Sequence, residues 1–303
     1  MAGVINTGSH PKALWPGVKG WYGVGYGEHP LECLDLFDSY TSDQNYEEDV
    51  QMIGMGLAPV KAEGQSVTYD TMSQGYVSRY VHIAYSLGFI VTYEELMDNL
   101  YEKVAGSRAK ALGFSMRQTK ETVGANIYNR AFDSNYTGGD GTELCATDHS
   151  TTSGDQSNEL AVAADMSESS IEDLCIQIMN ATDDKGLKIS LMPKTLHIPP
   201  ALAFEAERIL NSVLQNDTAN NAINAIRSLS AIPGGAKVNH YFTDTDAWFI
   251  RTNCPDGMKM YQRDSYDLKE DNDFDTDNLK AKSYDRYSFK WTDWRGVYGS
   301  PGA

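Results

Sequence analysis

The chain has 303 residues, 41% of them hydrophobic, enough to bury a sizeable core in one large domain or two closely connected ones. Its 42 acidic residues against 25 basic ones leave a formal net charge of -17, which excludes a general electrostatic attraction to nucleic acid or to an anionic membrane. A container for nucleic acid is not excluded, because a wall that repels phosphate leaves its contents mobile.

The opening residues, Met1-Ala2-Gly3-Val4-Ile5-Asn6, carry neither a basic nor an apolar leader, and no later stretch approaches the length of a membrane span. Synthesis and folding are therefore expected in the cytoplasm, with no membrane partner. Residues 1–52 hold many glycines and aromatics, among them Trp15, Trp21, Tyr22 and Tyr26, without a sustained period, and read as an N-terminal arm. Such a segment cannot bury its own rings, so they are expected under the rest of the fold or under a neighbouring molecule. Over residues 54–85 the pattern turns to strand, with 65–70 and 76–83 as the two sides of a long hairpin. Tyrosines and β-branched residues stand on both of its faces, which implies that both faces find partners.

Residues 93–132 carry the strongest periodic signal: Leu96, Leu100, Val104, Met116, Val123 and Ile127 recur near helical spacing with no proline, and Thr92 with Glu95 supplies a capping box. At ~1.5 Å per residue this helix spans roughly 60 Å and forms a stiff spine. Gly106, Gly113 and Gly124 within it each cost about 1 kcal/mol against alanine, which points to bending or close packing. After a turn-rich stretch, 133–158, centred on Gly138-Gly139-Asp140-Gly141, a compact helix is expected. Ser169 and Glu172 form its capping box, and Ile171, Leu174, Cys175, Ile178 and Met179 its buried face. Next come a strand at 187–191 and a helix opened by Pro199-Pro200 with Leu202, Ala206, Ile209, Leu210 and Val213 on one face. Strands at 236–242, 247–252, 258–263 and 278–291 complete an α+β order.

No grouping of residues has the types and spacing of a catalytic or cofactor site. Cys33, Cys145, Cys175 and Cys254 lie far apart, form no paired zinc or redox spacing, and read as free thiols in a reducing compartment. His149, four residues after Cys145, hints at a thiol with a base, but the plainer reading is a turn residue. His82 and His197 read as packed or surface groups. Gly23-Val24-Gly25-Tyr26-Gly27 only superficially resembles a phosphate loop, since its glycine spacing is wrong and no strand-helix unit surrounds it. The alternating Asp271, Asp273, Asp275 and Asp277 could gather on one side of an extended chain and hold calcium, yet Thr276 and Lys282 stand where an EF-hand needs glycine and glutamate. A solvated acidic loop is the plainer reading. No catalytic, cofactor or metal residue is assigned.

Several stretches together resemble the Mu-like phage major head proteins, the gpT family. They are Cys145-Ala146-Thr147-Asp148-His149 with Ser153-Gly154-Asp155-Gln156-Ser157-Asn158, Ile198-Pro199-Pro200-Ala201-Leu202 leading to Glu205-Ala206-Glu207-Arg208-Ile209-Leu210, Val238-Asn239-His240-Tyr241, Asp244-Thr245-Asp246-Ala247-Trp248-Phe249, and the closing Arg286-Tyr287-Ser288-Phe289 to Trp294-Arg295-Gly296-Val297-Tyr298-Gly299. The resemblance implies the Hong Kong 97-type capsid fold: an N-terminal arm at 1–52, an extended hairpin loop at 53–92, a peripheral domain at 93–185 with the spine helix 93–132, an axial domain at 186–280, and a returning peripheral strand at 281–303. It further implies a non-enzymatic major capsid protein that forms pentamers and hexamers of an icosahedral shell enclosing double-stranded DNA without sequence-specific binding. A portal and a decoration protein are implied partners, and the early start of the arm suggests a separate scaffolding protein. At -17 per subunit, assembly must offset repulsion by local complementarity, with Arg79, Lys103, Arg108 and Lys110 as candidates. Rival readings are an encapsulin-type cellular compartment, a cytosolic hydrolase or metal-binding protein using Cys145 with His149 or the 271–277 carboxylates, and a tail tube protein, against which the long spine speaks.

Overall fold

The computed structural model describes residues 15–28, 30–97, 101–214, 222–273 and 278–303. Its longest helix, α4 (Tyr101–Asn129), follows the short helix α3 (Tyr93–Met97), whose Glu95 amide donates to Thr92 Oγ1 at 3.4 Å. The expected spine is therefore described as two helical segments and ends at Asn129, with residues 98–100 outside the described set. Ala109, Leu112 and Met116, then Ala125 and Tyr128, are buried at intervals of three and four, as a helix lying on a core requires. The polar residues of the same face are buried too. Glu121 accepts the amides of Glu32 and Cys33, both at 2.8 Å, and so caps the one-turn helix α2 (Cys33–Leu36), while Arg117 donates to the Pro30 carbonyl at 2.6 Å.

The arm is not without regular structure. Trp15–Tyr26 forms helix α1, which packs on α4. Its glycines hide the helix from any propensity argument, and they are also what lets the two backbones meet. A Cβ on Gly113 would lie 2.5 Å from the Tyr22 carbonyl oxygen, and one on Gly25 would strike the Lys110 backbone. Tyr22 and Tyr26 are buried by this crossing, packed with Leu112, Met116, Leu268, Leu279 and Ala281, and Trp21 is half-buried beside them, so the body covers these rings, while the Trp15 side chain lies outside the described set. The glycine-rich stretch Gly23 to Gly27 thus belongs to a helix end, not a phosphate loop.

Sheet formation follows side-chain alternation. A four-stranded sheet runs in the order β1 (Asp38–Thr41), β10 (Met258–Asn272), β11 (Leu279–Trp291), β4 (Ile83–Val91), parallel between β1 and β10 and antiparallel elsewhere. Alternate residues of β11 from Leu279 to Tyr287 are buried against α4 and α1, as expected of a sheet with one covered face. The second four-stranded sheet is β12 (Val297–Ser300), β9 (Trp248–Thr252), β7 (Pro193–Ile198), β8 (Ala236–Val238). It packs with α5 (Glu168–Met179) and α6 (Ala203–Asn211), and α7 (Ala225–Ser228) adds Ile226 to the same core, which is continuous with Tyr128 and Ala131 at the far end of α4. The sheets do not divide at residue 280: β10 pairs with β11 over most of its length, and β12 near the C-terminus closes the sheet of β7 and β9.

Several expected elements are displaced. The strand placed at 187–191 lies instead at Pro193–Ile198, because Asp183 Oδ1 accepts the amides of Lys185 and Leu187, both at 2.8 Å, and turns the chain first. α5 is capped by Ser167 and Ser170, which bond reciprocally, not by Ser169 and Glu172: burial of Ile171, Leu174, Cys175 and Ile178 selects the register. Met179 and Val213, read as buried, are exposed. The strand over 236–242 stops at Val238, where Asn239 Oδ1 takes the Tyr241 amide at 2.9 Å. The hairpin is built from β2 (Tyr46–Ile53) and β3 (Ser73–Val81); residues 65–70 belong to its irregular 54–72 tip, not to a strand.

Candidate functional site

The candidate catalytic groups are structural. Cys145 is buried beneath the end of α4, and burial pushes its thiol far above the ordinary range, so no thiolate forms there. His149 is not a turn residue: it opens the short strand β5 (His149–Thr151), fully buried, its ring stacked on Trp294 with centroids 4.3 Å apart. Its Nδ1 lies 2.6 Å from Asp140 Oδ2 and its Nε2 3.1 Å from Asn158 Oδ1, so both nitrogens are committed and neither serves a thiol. Asn158 is the joint of this region. Its amide group donates to the carbonyls of Leu144, Trp294 and Val297, and its oxygen takes the Ala146 amide at 2.9 Å. His197 is buried in the second sheet, held down to about 3 by burial, and lies 2.8 Å from Thr195 Oγ1.

Asp271 sits on β10 opposite Lys280, and Asp273 bonds Lys280 at 2.7 Å, while Asp275 and Asp277 lie outside the described residues. Among the described residues no group of histidine, cysteine or carboxylate side chains is arranged to hold a metal ion. The four thiols are free, three of them buried. Of the basic candidates, Arg79 pairs with Glu48 at 2.6 Å within the hairpin and lies over the Tyr46 ring, and Arg108 forks onto both Glu95 oxygens at 3.1 Å. Lys110 is exposed beside the α1 crossing, and the Lys103 side chain lies outside the described set.

What the chain presents instead is apolar surface on reaching elements. The hairpin tip exposes Leu57 (83%), Val60 (100%) and Tyr69 (91%), besides Met55, Val67 and Met72. Single exposed apolar residues are ordinary, but six within one 19-residue tip (54–72) are a concentration that water penalises. The tip is tethered through Asp70, which takes the Gly56 amide at 2.7 Å and Lys185 Nζ at 2.9 Å; these bonds hold its carboxyl down to about 2. The hairpin root is polar and buried. Asp49 Oδ2 accepts from Lys259 at 2.6 Å and from Thr292 at 2.8 Å, and Tyr80 shares a 2.6 Å hydrogen bond with the same threonine. A second exposed apolar group, Phe204 (80%) with Val213, Ile223 and Leu229, stands around α6 and α7. Alternation in the sequence signals the hairpin, whereas nothing in the α6 pattern marks Phe204 as exposed.

A sheet-and-spine body carrying a hairpin whose tip exposes apolar side chains offers surface for binding protein. No curated relative matches the chain by sequence. Among solved structures, the virus-like particle from Pyrococcus furiosus is similar over 94% of this chain and 98% of its own, at 13% identity and a TM-score of 0.55. Mycobacterium phage Patience is similar over 99% and 89%, at 11% and 0.54, and the capsid of a native GTA particle over 91% of each chain, at 9% and 0.58. At these identities the likeness is one of fold, the Hong Kong 97 type. The phage capsid protein family matches residues 76–300, well over half of the chain, so this chain belongs to the phage capsid proteins, structural and non-enzymatic constituents of the virion head shell.

Proposed function

We propose that the chain is a major head subunit of the Mu-like gpT type, which closes with its own copies into rings of five and six and builds an icosahedral shell around double-stranded DNA. The apolar 54–72 tip carries this reading: burying Leu57, Val60 and Tyr69 on a neighbour contributes about 1.5–3 kcal/mol each, an incentive that a lone subunit cannot realise. Heterologous contacts of this kind close into rings when the rotation permits. In this reading the sheet of β1, β10, β11 and β4 with α4 is the peripheral part, and the sheet of β12, β9, β7 and β8 with α6 and α7 faces the ring axis. Scaffolding, portal and decoration proteins are its partners in the particle, and the charge of -17 leaves the DNA unglued.

Electron microscopy of the purified chain beside a triple L57S/V60S/Y69S variant tests the proposal. Assembled particles from the parent and folded, unassembled subunits from the variant are expected; equal assembly by both refutes the role of the tip, and uniform, correctly sized shells from the parent alone count against a separate scaffolding protein. The fold likeness to a virus-like particle favours one second reading, a cellular compartment. Its particles would enclose protein and no genome, which nuclease-protected DNA extraction decides.

A further inference from the structure

The hairpin leaves the body through two short joints, residues 42–45 between β1 and β2 and the single residue His82 between β3 and β4. Ser42 and His82 are buried there, at 6% and 3% exposure. They are bonded to one another. His82 Nε2 lies 3.1 Å from Ser42 Oγ, and its Nδ1 lies 2.9 Å from Ser288 Oγ on β11. The Ser42 hydroxyl donates its one proton to Glu47 Oε1 at 2.6 Å, so toward His82 its oxygen accepts. A ring proton therefore sits on Nε2, and Ser288 donates to Nδ1 when the ring is neutral and can turn to accept when it is charged. Charging this ring costs its burial among cationic neighbours rather than a hydrogen bond.

Charged groups reach this ring from three strands. Glu47 of β2 favours a second proton; Arg286 of β11 and Arg263 of β10 oppose it. Arg286 also donates to the His82 carbonyl at 3.2 Å and to Asn45 Oδ1 at 2.6 Å, so it spans both joints, and the Tyr261 ring of β10 stands 6.2 Å from the imidazole. Burial first, and the two guanidiniums next, hold the imidazole below the ordinary histidine range despite Glu47.

We propose that His82, clasped between Ser42 and Ser288, is an acid-released latch at the root of the hairpin: a second proton on its ring loosens both joints where β2 and β3 meet the body. The proposal concerns the fold of one subunit and stands whether or not the shell reading holds. Because the folded root prefers the neutral ring, its stability is complete above the ordinary histidine range and is lost as pH falls below it, down to the lowered folded value. Within that window opening of the root grows by up to about tenfold per pH unit.

Hydrogen exchange on the purified full chain, corrected for intrinsic rates and run from roughly pH 7.5 to 5, reads this directly. Amides of residues 42–48 and 80–84 are expected to lose protection on acidification while β7 and β9 do not. His82→Gln keeps one donor and one acceptor but cannot titrate; it should retain neutral-pH protection and flatten the acid response. An unchanged acid response in His82→Gln, or a flat one in the parent chain, overturns the latch. If that variant does not fold, ring C–H resonances of the parent decide: an imidazole titrating below the ordinary range in step with root exchange supports the proposal, and none doing so overturns it.

Discussion

The crossing of α1 over α4 offers a substitution whose sign is set by two opposing terms. In Gly113→Ala the new methyl would sit 2.5 Å from the Tyr22 carbonyl oxygen and 3.0 Å from the Tyr26 amide nitrogen, where ordinary contact begins near 3.4 Å, so the helices must part by about 1 Å. Overpacking of this kind costs about 1–3 kcal/mol, and the upper end applies because backbone atoms cannot rotate away. Alanine returns about 1 kcal/mol of helix propensity, leaving a net loss of about 2 kcal/mol. Complete release of α1 would expose Tyr22 and Tyr26 at about 1.5–3 kcal/mol each, which is more, so the helix stays docked but displaced. Gly20→Ala is the control: nothing lies within 4 Å of its Cβ, and it should gain about 1 kcal/mol. Urea unfolding gives the energies, and hydrogen exchange over residues 15–28 locates the change. A Gly113→Ala chain as stable as the parent, or more so, would refute the close approach.

Asn158→Asp sets an acceptor against three carbonyls and loses the donors that join Leu144, Trp294 and Val297; a loss of at least about 3 kcal/mol in urea unfolding is expected, and a smaller one would show that the joint is not tight. Burial raises the Glu270 carboxyl to about 7 against an ordinary value of 4.5, so its contribution is present at acid pH and lost as pH rises toward and past 7. Glu270→Gln should accordingly raise the unfolding midpoint above pH 7 and leave it nearly unchanged near pH 4.5, which thermal scans at the two values check. Burial pushes the thiols of Cys33, Cys145 and Cys175 upward, so a disulfide reagent at mildly alkaline pH should label these three slowly in the native chain and all four cysteines in the denatured chain; rapid native labelling at more than the half-buried Cys254 would contradict their burial.

Where periodicity and tertiary demand agree, the sequence was readable. The α5 face from Ile171 to Ile178 and the β11 strand follow from apolar spacing, since one buried face leaves a 3.6- or 2-residue signature, whereas β9 is buried on both faces. Of the residues read on the spine Met116 is buried, Val123 and Ile127 are half-buried, and the side chains of Leu96, Leu100 and Val104 lie outside the described set. The 65–70 strand failed because Val67 and Tyr69 carry β propensity but lie in a tip with no ladder partner, whereas Tyr46–Ile53, read as arm, pairs with β3. Glu121, Arg117 and His82 gave no signal, because nothing local distinguishes a polar residue that caps a distant helix or clasps a distant strand from one that faces water.

By itself the sequence determined the α+β order, a long helix over most of 101–129 and a hairpin preceding it, because each depends on residue type and near-neighbour spacing. Only the tertiary structure decided that α1 is a helix, that β10 joins β11 and not the sheet of β7 and β9, and that Cys145 and His149 are separately immobilised. Those outcomes turn on contacts between residues far apart in the chain, where burial and backbone pairing outweigh the modest local preferences of each segment.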